Sequence, residues 1–250
     1  LEFKKPAGTS RGVLLAKPSW IFFLEKDPSV RGECSIIPGL SPEYDSDEQF
    51  EIKIKWVCQL FNSLITKQDE KLVLSYFCVE LINFPSILFG IETLFYNWNL
   101  KKDVDPFSSK FSQGIEGILI NGLIWMGPVD KMLAELESKV NEGYKILKLK
   151  IGAIDFKKEV EILKIIRKKF GQNFQIRVDA NGAFVEHQIR DVLLQLKEQG
   201  VHSIEQPIKT GNWNLMRELC RECTVPIALD EELIGVKSYE EKKRVLESLR

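Results

Sequence analysis

Short apolar runs alternate with amphipathic segments through the second half of this 250-residue chain. Each run has the length of a β-strand, and each segment that follows it places apolar residues at helical intervals. Single strands that alternate with single helices are typical of a parallel sheet covered by helices. The predicted strands are 118–125, 145–151, 174–179, 202–206 and 226–230, and the predicted helices are 129–142, 155–169, 186–199, 211–222 and 238–249.

The first half of the chain has a different pattern, which predicts a mixed α+β domain. Apolar runs at 13–24 and 30–36 predict a hairpin that turns at 26–29. Three predicted helices follow, at 48–66, 69–83 and 85–98. Their aromatic residues are predicted to fill the core, and these are Trp56, Phe61, Phe77, Phe89, Phe95 and Trp98.

The predicted parallel strands carry charge on one face only. Lys148 and Lys150 share one face of their strand, with apolar residues on the other, because side chains alternate along a strand. Asp179, Glu205 and Asp230 end the next three strands, 26 and 25 residues apart. An open sheet covered on both sides would bury these charges without partners, which is costly. A barrel directs them towards its axis, where they can meet.

The charged face therefore favours a TIM-type (β/α) barrel with its site at the C-terminal ends of the strands. Residues 100–114 are polar and contain a proline, as linkers between domains often do. We expect an α/β chain with two domains. Residues 1–105 would form an α+β domain, and residues 106–250 a barrel that is truncated after about five βα units.

The three acids at the strand ends predict a metal site. Carboxylates that converge repel one another unless a cation joins them, and oxygen ligands favour Mg²⁺, Mn²⁺ or Ca²⁺. A lysine beside such a cation suits proton transfer next to an oxyanion that the cation stabilises. Taken singly, Asp179, Glu205 and Asp230 are equally well explained as helix N-caps or loop acids. Their common register favours the metal.

Four short strings resemble motifs of the enolase superfamily, and they are Lys148–Gly152, Val178–Asn181, Ile204–Pro207 and Asp230–Glu232. Longer strings around them resemble the o-succinylbenzoate synthase family, in the muconate lactonizing enzyme-like subgroup. The resemblance implies an Mg²⁺-dependent lyase, with Mn²⁺ as a substitute metal. Such a lyase dehydrates a succinyl-substituted hydroxycyclohexadiene carboxylate to o-succinylbenzoate by a syn-type β-elimination, in menaquinone biosynthesis.

The resemblance also implies a role for each charged residue. Lys150 would be the general acid and base, with Lys148 as its electrostatic neighbour, while Asp179, Glu205 and Asp230 would bind the metal.

Three further residues of the motifs, Arg177, Asn181 and Glu231, would orient the carboxylates and lysines from behind. A structural salt bridge or a cap at a turn or helix explains each of them equally well.

The resemblance implies that residues 1–105 are the family's capping domain. In it, a loop of small residues, Pro6–Gly12, resembles the family's loop that closes over the substrate. Ser10, Arg11 and Gly12 would then bind substrate, and Arg11 could hold a carboxylate with two hydrogen bonds. A surface turn is the simpler explanation of the same residues.

The formal net charge of −1 predicts no bulk attraction to nucleic acid or to an anionic membrane. No apolar run has the roughly 20 residues of a membrane span, and the N-terminus lacks a signal-peptide pattern. Five cysteines suit a reducing cytoplasm. We expect a cytoplasmic enzyme of a small-molecule carboxylate, and a homo-oligomer is compatible with this sequence.

Five predicted strands are fewer than the roughly eight of a closed barrel. The family also has a second catalytic lysine on the next strand, for which the sequence has no counterpart. We therefore expect a chain cut at both ends, inactive by itself. The alternatives are an N-acylamino acid racemase, a dipeptide epimerase or a muconate cycloisomerase, which use the same metal ligands, or a non-catalytic fragment of such an enzyme.

Overall fold

The computed structural model describes residues 1–9, 12–66, 69–101, 107–125 and 127–249. The chain divides into two compact units. One consists of Leu1–Ala7 and Leu14–Ile118, and the other of Gly8–Val13 and Leu119–Arg250. The predicted domain boundary at 105/106 falls outside the described residues and stays a prediction.

Four strands and three helices precede the parallel sheet, and all of them belong to the first unit except for Gly8–Val13, which takes in the end of the first strand and the start of the second. Strands β1 (Glu2–Thr9) and β2 (Gly12–Ala16) form one two-stranded sheet, and β3 (Ser19–Leu24) and β4 (Asp27–Ser35) form an antiparallel hairpin. The helices are α1 (Asp47–Leu64), α2 (Glu70–Glu80) and α3 (Pro85–Leu100). Ser46 and Asp69 cap α1 and α2 by accepting backbone N–H groups, which explains where these helices begin.

The sequence placed the strands of this unit imperfectly. The apolar run 13–24 is two strands rather than one, because Pro18 has no N–H to donate to a ladder and separates them. The hairpin turns at Glu25 and Lys26, so the turn predicted at 26–29 was wrong. Much of the loop predicted at 6–12 is strand, since β1 continues to Thr9.

The aromatic core of this unit was predicted largely correctly. Phe61, Phe77 and Phe95 are buried, while Trp56 and Trp98 pack against them from half-buried positions. Phe89 is 62% exposed, so its assignment to the core was wrong. The buried residues of α3 recur at helical intervals, and Phe89 falls on the opposite face of the helix. Those buried residues are Ile87, Gly90, Ile91, Leu94 and Phe95.

The second unit is a parallel sheet with one helix after each strand, as predicted. Its strands are β5 (Gly122–Ile124), β6 (Ile146–Lys150), β7 (Gln175–Asp179), β8 (Ser203–Glu205) and β9 (Ile227–Ala228), in that spatial order. The helices are α4 (Val129–Asn141), α5 (Phe156–Phe170), α6 (Glu186–Glu198), α7 (Trp213–Glu222) and α8 (Tyr239–Ser248). This order confirms the prediction of consecutive βα units of a barrel. Within the described ranges, every helix is too short or too polar to cross a bilayer.

The two faces of the parallel sheet differ as the alternation predicted. Leu147, Leu149, Ile176, Val178 and Ile204 are at most 2% exposed and form the core with the helices. The opposite face carries the charged residues. The strand register aligns them across the sheet at the carboxyl ends of the strands: Lys150 pairs with Asp179, and Asp179 with Glu205.

Gly32 of β4 lies against the backbone of α3, and we expect any side chain there to be destabilising. A Cβ on Gly32 would lie 1.8 Å from the carbonyl oxygen of Gly90, so strand and helix would have to separate. We expect Gly32→Ala to lower the free energy of unfolding by about 3 kcal/mol in a urea titration. Gly117→Ala is the control, because a Cβ there meets no atom within 4 Å. Equal stability of the two variants would contradict this packing.

Candidate active site

Two lysines and two acids form the centre of the charged face. Lys148 Nζ lies 2.7 Å from both carboxylate oxygens of Glu205 and 3.0 Å from Asp179 Oδ2. Lys150 Nζ lies 2.8 Å from the same Asp179 oxygen and 2.8 Å from Asn181 Oδ1. Asp179 therefore receives both ammonium groups. The parallel register produces this contact, because it brings the ends of β6, β7 and β8 side by side.

The carboxylate of Asp179 is stabilised in its ionised form although the residue is only 1% exposed. Burial opposes ionisation, but the hydrogen bonds from Lys150 and Lys148 outweigh burial and lower the pKa of Asp179. Burial also opposes the charge of Lys148, and its hydrogen bonds to Glu205 and Asp179 outweigh it and raise the pKa of Lys148. These ion pairs thus favour the charged forms of Asp179 and Lys148.

The two acids further along the sheet remain short of positive charge. Burial, together with the charges of Asp179 and Asp230, raises the pKa of Glu205 despite its hydrogen bond from Lys148. Asp230 follows β9 by two residues and begins the short 3₁₀ turn Glu231–Leu233. Partial burial, then the charges of Glu231 and Asp179, raises the pKa of Asp230. An added cation would relieve this excess of negative charge.

The three predicted metal ligands differ in how closely the structure joins them. Asp179 and Glu205 share the ammonium group of Lys148, whereas Asp230 acts on both of them only through its charge. In the part of the chain that the structure describes, no three His, Cys, Asp or Glu side chains are grouped closely enough to hold a metal ion. The donor set nevertheless fits a hard cation, because it consists of carboxylate oxygens at one end of adjacent strands. Its assignment as a metal site stays a prediction.

The residues predicted to orient the site form a partly connected chain. Asn181 accepts from Lys150 through Oδ1 and donates from Nδ2 to Glu231 Oε1 at 3.0 Å. Its backbone N–H donates to Asp179 Oδ1 at 3.2 Å. Arg177 lies beside Lys148 in the register, and its buried Nε finds no partner within the described residues. The orienting roles of Arg177, Asn181 and Glu231 stay predictions.

Of the predicted substrate-binding residues, Ser10 and Arg11 lie outside the described residues, and Gly12 begins β2. Their role stays a prediction.

Sequence reasoning missed three buried polar residues next to the site, which are Glu159, Gln206 and Glu232. Both carboxylate oxygens of Glu159 accept the N–H of Gly152, at 2.8 and 2.9 Å, and so fix the turn that follows Lys150. Burial raises the pKa of Glu159. Two of the three could have been found from the sequence by their position within the motifs. Gln206 lies in the string Ile204–Pro207, and Glu232 lies in Asp230–Glu232.

The parallel βα units and the paired lysines and acids define a barrel domain of the enolase type. The sequence pattern of the family described as "Enolase C-terminal domain-like" matches residues 131–244, which covers the charged strands from β6 to β9.

The comparisons extend this likeness to the whole chain. The o-succinylbenzoate synthase of Desulfotalea psychrophila is 38% identical over 100% of this chain and 74% of its own length. The crystal structure of MenC from the same organism superposes with a TM-score of 0.71 at 32% identity, over 95% of this chain and 72% of that one. The chain therefore belongs to the o-succinylbenzoate synthase family of the enolase superfamily.

A more distant solved structure shows the same fold. It is o-succinylbenzoate synthase from Thermosynechococcus elongatus, described as complexed with Mg in the active site. It matches with a TM-score of 0.67 at 20% identity, over 97% of this chain and 69% of that one.

Lys148→Met tests whether the ion pairs stabilise the fold. The variant leaves Asp179 and Glu205 with one ammonium group fewer, so we expect a loss of about 3 kcal/mol in unfolding free energy near neutral pH. Lys164→Met is the control, since Lys164 forms a solvent-exposed pair with Glu161 whose loss should cost under about 1 kcal/mol.

The pH dependence of the same variant has a definite sign. The pKa of Asp179 is lowered from 3.8, so its contribution to the free energy of unfolding of the wild type is fully present above pH 3.8. That contribution is lost as the pH falls further. We expect the gap between wild type and Lys148→Met to narrow over this acidic range in urea titrations. A gap that is constant with pH would contradict the ion-pair explanation.

Proposed function

We propose that the protein is an Mg²⁺-dependent lyase that dehydrates a succinyl-substituted hydroxycyclohexadiene carboxylate to o-succinylbenzoate, in menaquinone biosynthesis. The observation that carries the proposal is the contact of Lys148 and Lys150 with Asp179 and Glu205. It occurs in a chain that aligns over its whole length with 74% of an o-succinylbenzoate synthase. This centre holds an amine and acids at the carboxyl ends of parallel strands, where barrel enzymes perform their chemistry.

Asp179, Glu205 and Asp230 would hold the metal. Support comes from their oxygen donors, from the raised pKa of Glu205 and Asp230, and from the relative of T. elongatus that is described with Mg in its active site. Bound Mg²⁺ would supply positive charge to a substrate carboxylate while the neighbouring carbon loses its proton. Mn²⁺ would satisfy the same donors.

Lys150 would transfer the proton. Lys150 acts as a base only through its free amine, so its ion pair with Asp179 has to open before the reaction begins. Lys150 Nζ would then take the proton from the carbon next to the ring carboxylate and return a proton to the hydroxyl group. The C–H and C–O bonds break, one water leaves and the ring becomes aromatic. Lys148, which stays charged, would bind the developing negative charge nearby.

The substrate loop remains part of this proposal. Ser10, Arg11 and Gly12 would bind a carboxylate of the substrate, and the support is the resemblance of Pro6–Gly12 to the family's closing loop. Racemases, epimerases and cycloisomerases of the superfamily use the same metal ligands, so the substrate assay has to include their substrates.

Asp179→Asn tests the metal site directly. The amide keeps an oxygen that accepts from Lys148 and Lys150, so the fold should persist, but the charge that attracts Mg²⁺ is lost. In isothermal titration calorimetry we expect Mg²⁺ affinity to fall by more than about tenfold. Asp191→Asn, on the surface of α6, is the matched control and should bind as the wild type does. Unchanged binding by Asp179→Asn would remove the metal assignment.

Lys150→Met tests the chemistry. With Mg²⁺ and the cyclohexadiene substrate, we expect the wild type to form the aromatic product, which is followed by its absorbance. We expect turnover by Lys150→Met to be lower by about 10²-fold or more. Lys157→Met, an exposed lysine on α5, is the control and should react normally.

The competing hypotheses predict other results in the same assay. Epimerisation of N-acylamino acids or dipeptides without dehydration would assign the protein to the racemases and epimerases. Binding of Mg²⁺ without turnover of any substrate would support the alternative of a non-catalytic fragment.

A further inference from the structure

Gln206 forms a buried junction between the ends of β8 and β9. Its side-chain oxygen Oε1 accepts the backbone N–H of Asp230 at 3.2 Å and that of Glu232 at 3.1 Å. Its Nε2 donates to the carbonyl oxygen of Ile208 and to Glu232 Oε2, both at 3.0 Å. The side chain is 0% exposed, and two acceptor and two donor positions are all used.

Glu232 completes this junction from the other side. It is 6% exposed, and its Oε1 accepts the N–H of Gly211 at 2.8 Å while Oε2 receives Gln206. The pair therefore ties the loop after β8 to the turn after β9. Gln206 also has a φ of 40°, which a residue other than glycine keeps only where its surroundings hold it.

The sheet itself does not extend to Asp230. The register between β8 and β9 consists of Ile204 with Ile227 and Glu205 with Ala228. The N–H of Gln206 then donates to the carbonyl of Ala228 at 2.9 Å, two residues before Asp230. The next hydrogen bond between these two segments runs from the backbone N–H of Asp230 to the side-chain oxygen of Gln206. Gln206 directly follows Glu205, so one residue connects the backbones of two proposed ligands.

We propose that Gln206, held in place by Glu232, is a positioning residue that sets Asp230 at the correct place relative to Glu205 for a divalent cation. This inference rests on the proposed function, because it concerns the metal site of that function. Neither Gln206 nor Glu232 takes part in the proton transfer described above. Their role would be to keep Asp230, which lies two residues beyond the two-residue strand β9, from moving away from Asp179 and Glu205.

Gln206→Met is the principal test, since methionine keeps the length of the side chain and lacks all four hydrogen bonds. We expect Mg²⁺ affinity, measured by calorimetry without substrate, to fall by about 10- to 100-fold, as replacement of residues that support metal ligands generally does. The amide protons of Asp230 and Glu232 should exchange faster with solvent. Glu232→Gln removes one acceptor only, and we expect it to weaken Mg²⁺ binding as well. It provides the test if Gln206→Met fails to fold.

Arg167→Met is the matched structural control. Arg167 donates to the carbonyl oxygens of Phe174, Gln199 and Gly200, each at 2.7 Å, at the amino ends of β7 and β8. Its replacement should lower the melting temperature and leave Mg²⁺ affinity unchanged.

The outcomes separate this inference from the proposed function. If the wild type, Gln206→Met and Glu232→Gln all bind Mg²⁺ with the same affinity, the positioning role is overturned and the metal site stands. Equal weakening by Arg167→Met also overturns it, because the effect would then follow general stability. A wild-type protein that binds no Mg²⁺ overturns the metal site and this inference together.

Discussion

The contact of two ammonium groups with one buried carboxylate is the interaction on which the site depends. Asp179 is 1% exposed, and a carboxylate in that position stays ionised only if positive charge lies against it. Lys148 and Lys150 supply that charge from the neighbouring strand. Both reach Asp179 because a parallel register places their side chains on the same face. A shift of one residue would direct them into the apolar core.

The same contact connects stability to chemistry. The lysines neutralise Asp179 and Glu205 as a cation would, so binding a cation replaces interactions that now stabilise the fold. In the proposed reaction the exchange would release Lys150 from Asp179, so that its side chain could reach the substrate. Burial is the main cause of the raised pKa of Glu205 and of Asp230, and the charges of neighbouring acids add to it. A bound cation would offset both effects.

Sequence periodicity was sufficient for the parallel strands and helices and for the shared face of Lys148, Lys150, Asp179 and Glu205. Both follow from local rules, namely alternation along strands and the helical repeat. Sequence periodicity was insufficient where tertiary packing determines which side chains are buried or how far a strand extends. Phe89 is as apolar as its buried neighbours, and only the rotation of α3 exposes it. The predicted strand 118–125 is reduced to Gly122–Ile124, because a strand extends only as far as its neighbour pairs with it.

Gln206 shows why the supporting residues of a site are harder to predict than the charged ones. Alternation assigns Gln206 to the face of Ile204, where a polar side chain would be buried among apolar residues. The positive φ of Gln206 ends the strand there, and its amide instead finds the free backbone N–H groups that follow β9. Those partners lie 24 and 26 residues away in the chain, so no local pattern indicates them. Where a strand is short, a buried side-chain amide can take over from the backbone ladder, and here it does so beside a proposed metal ligand.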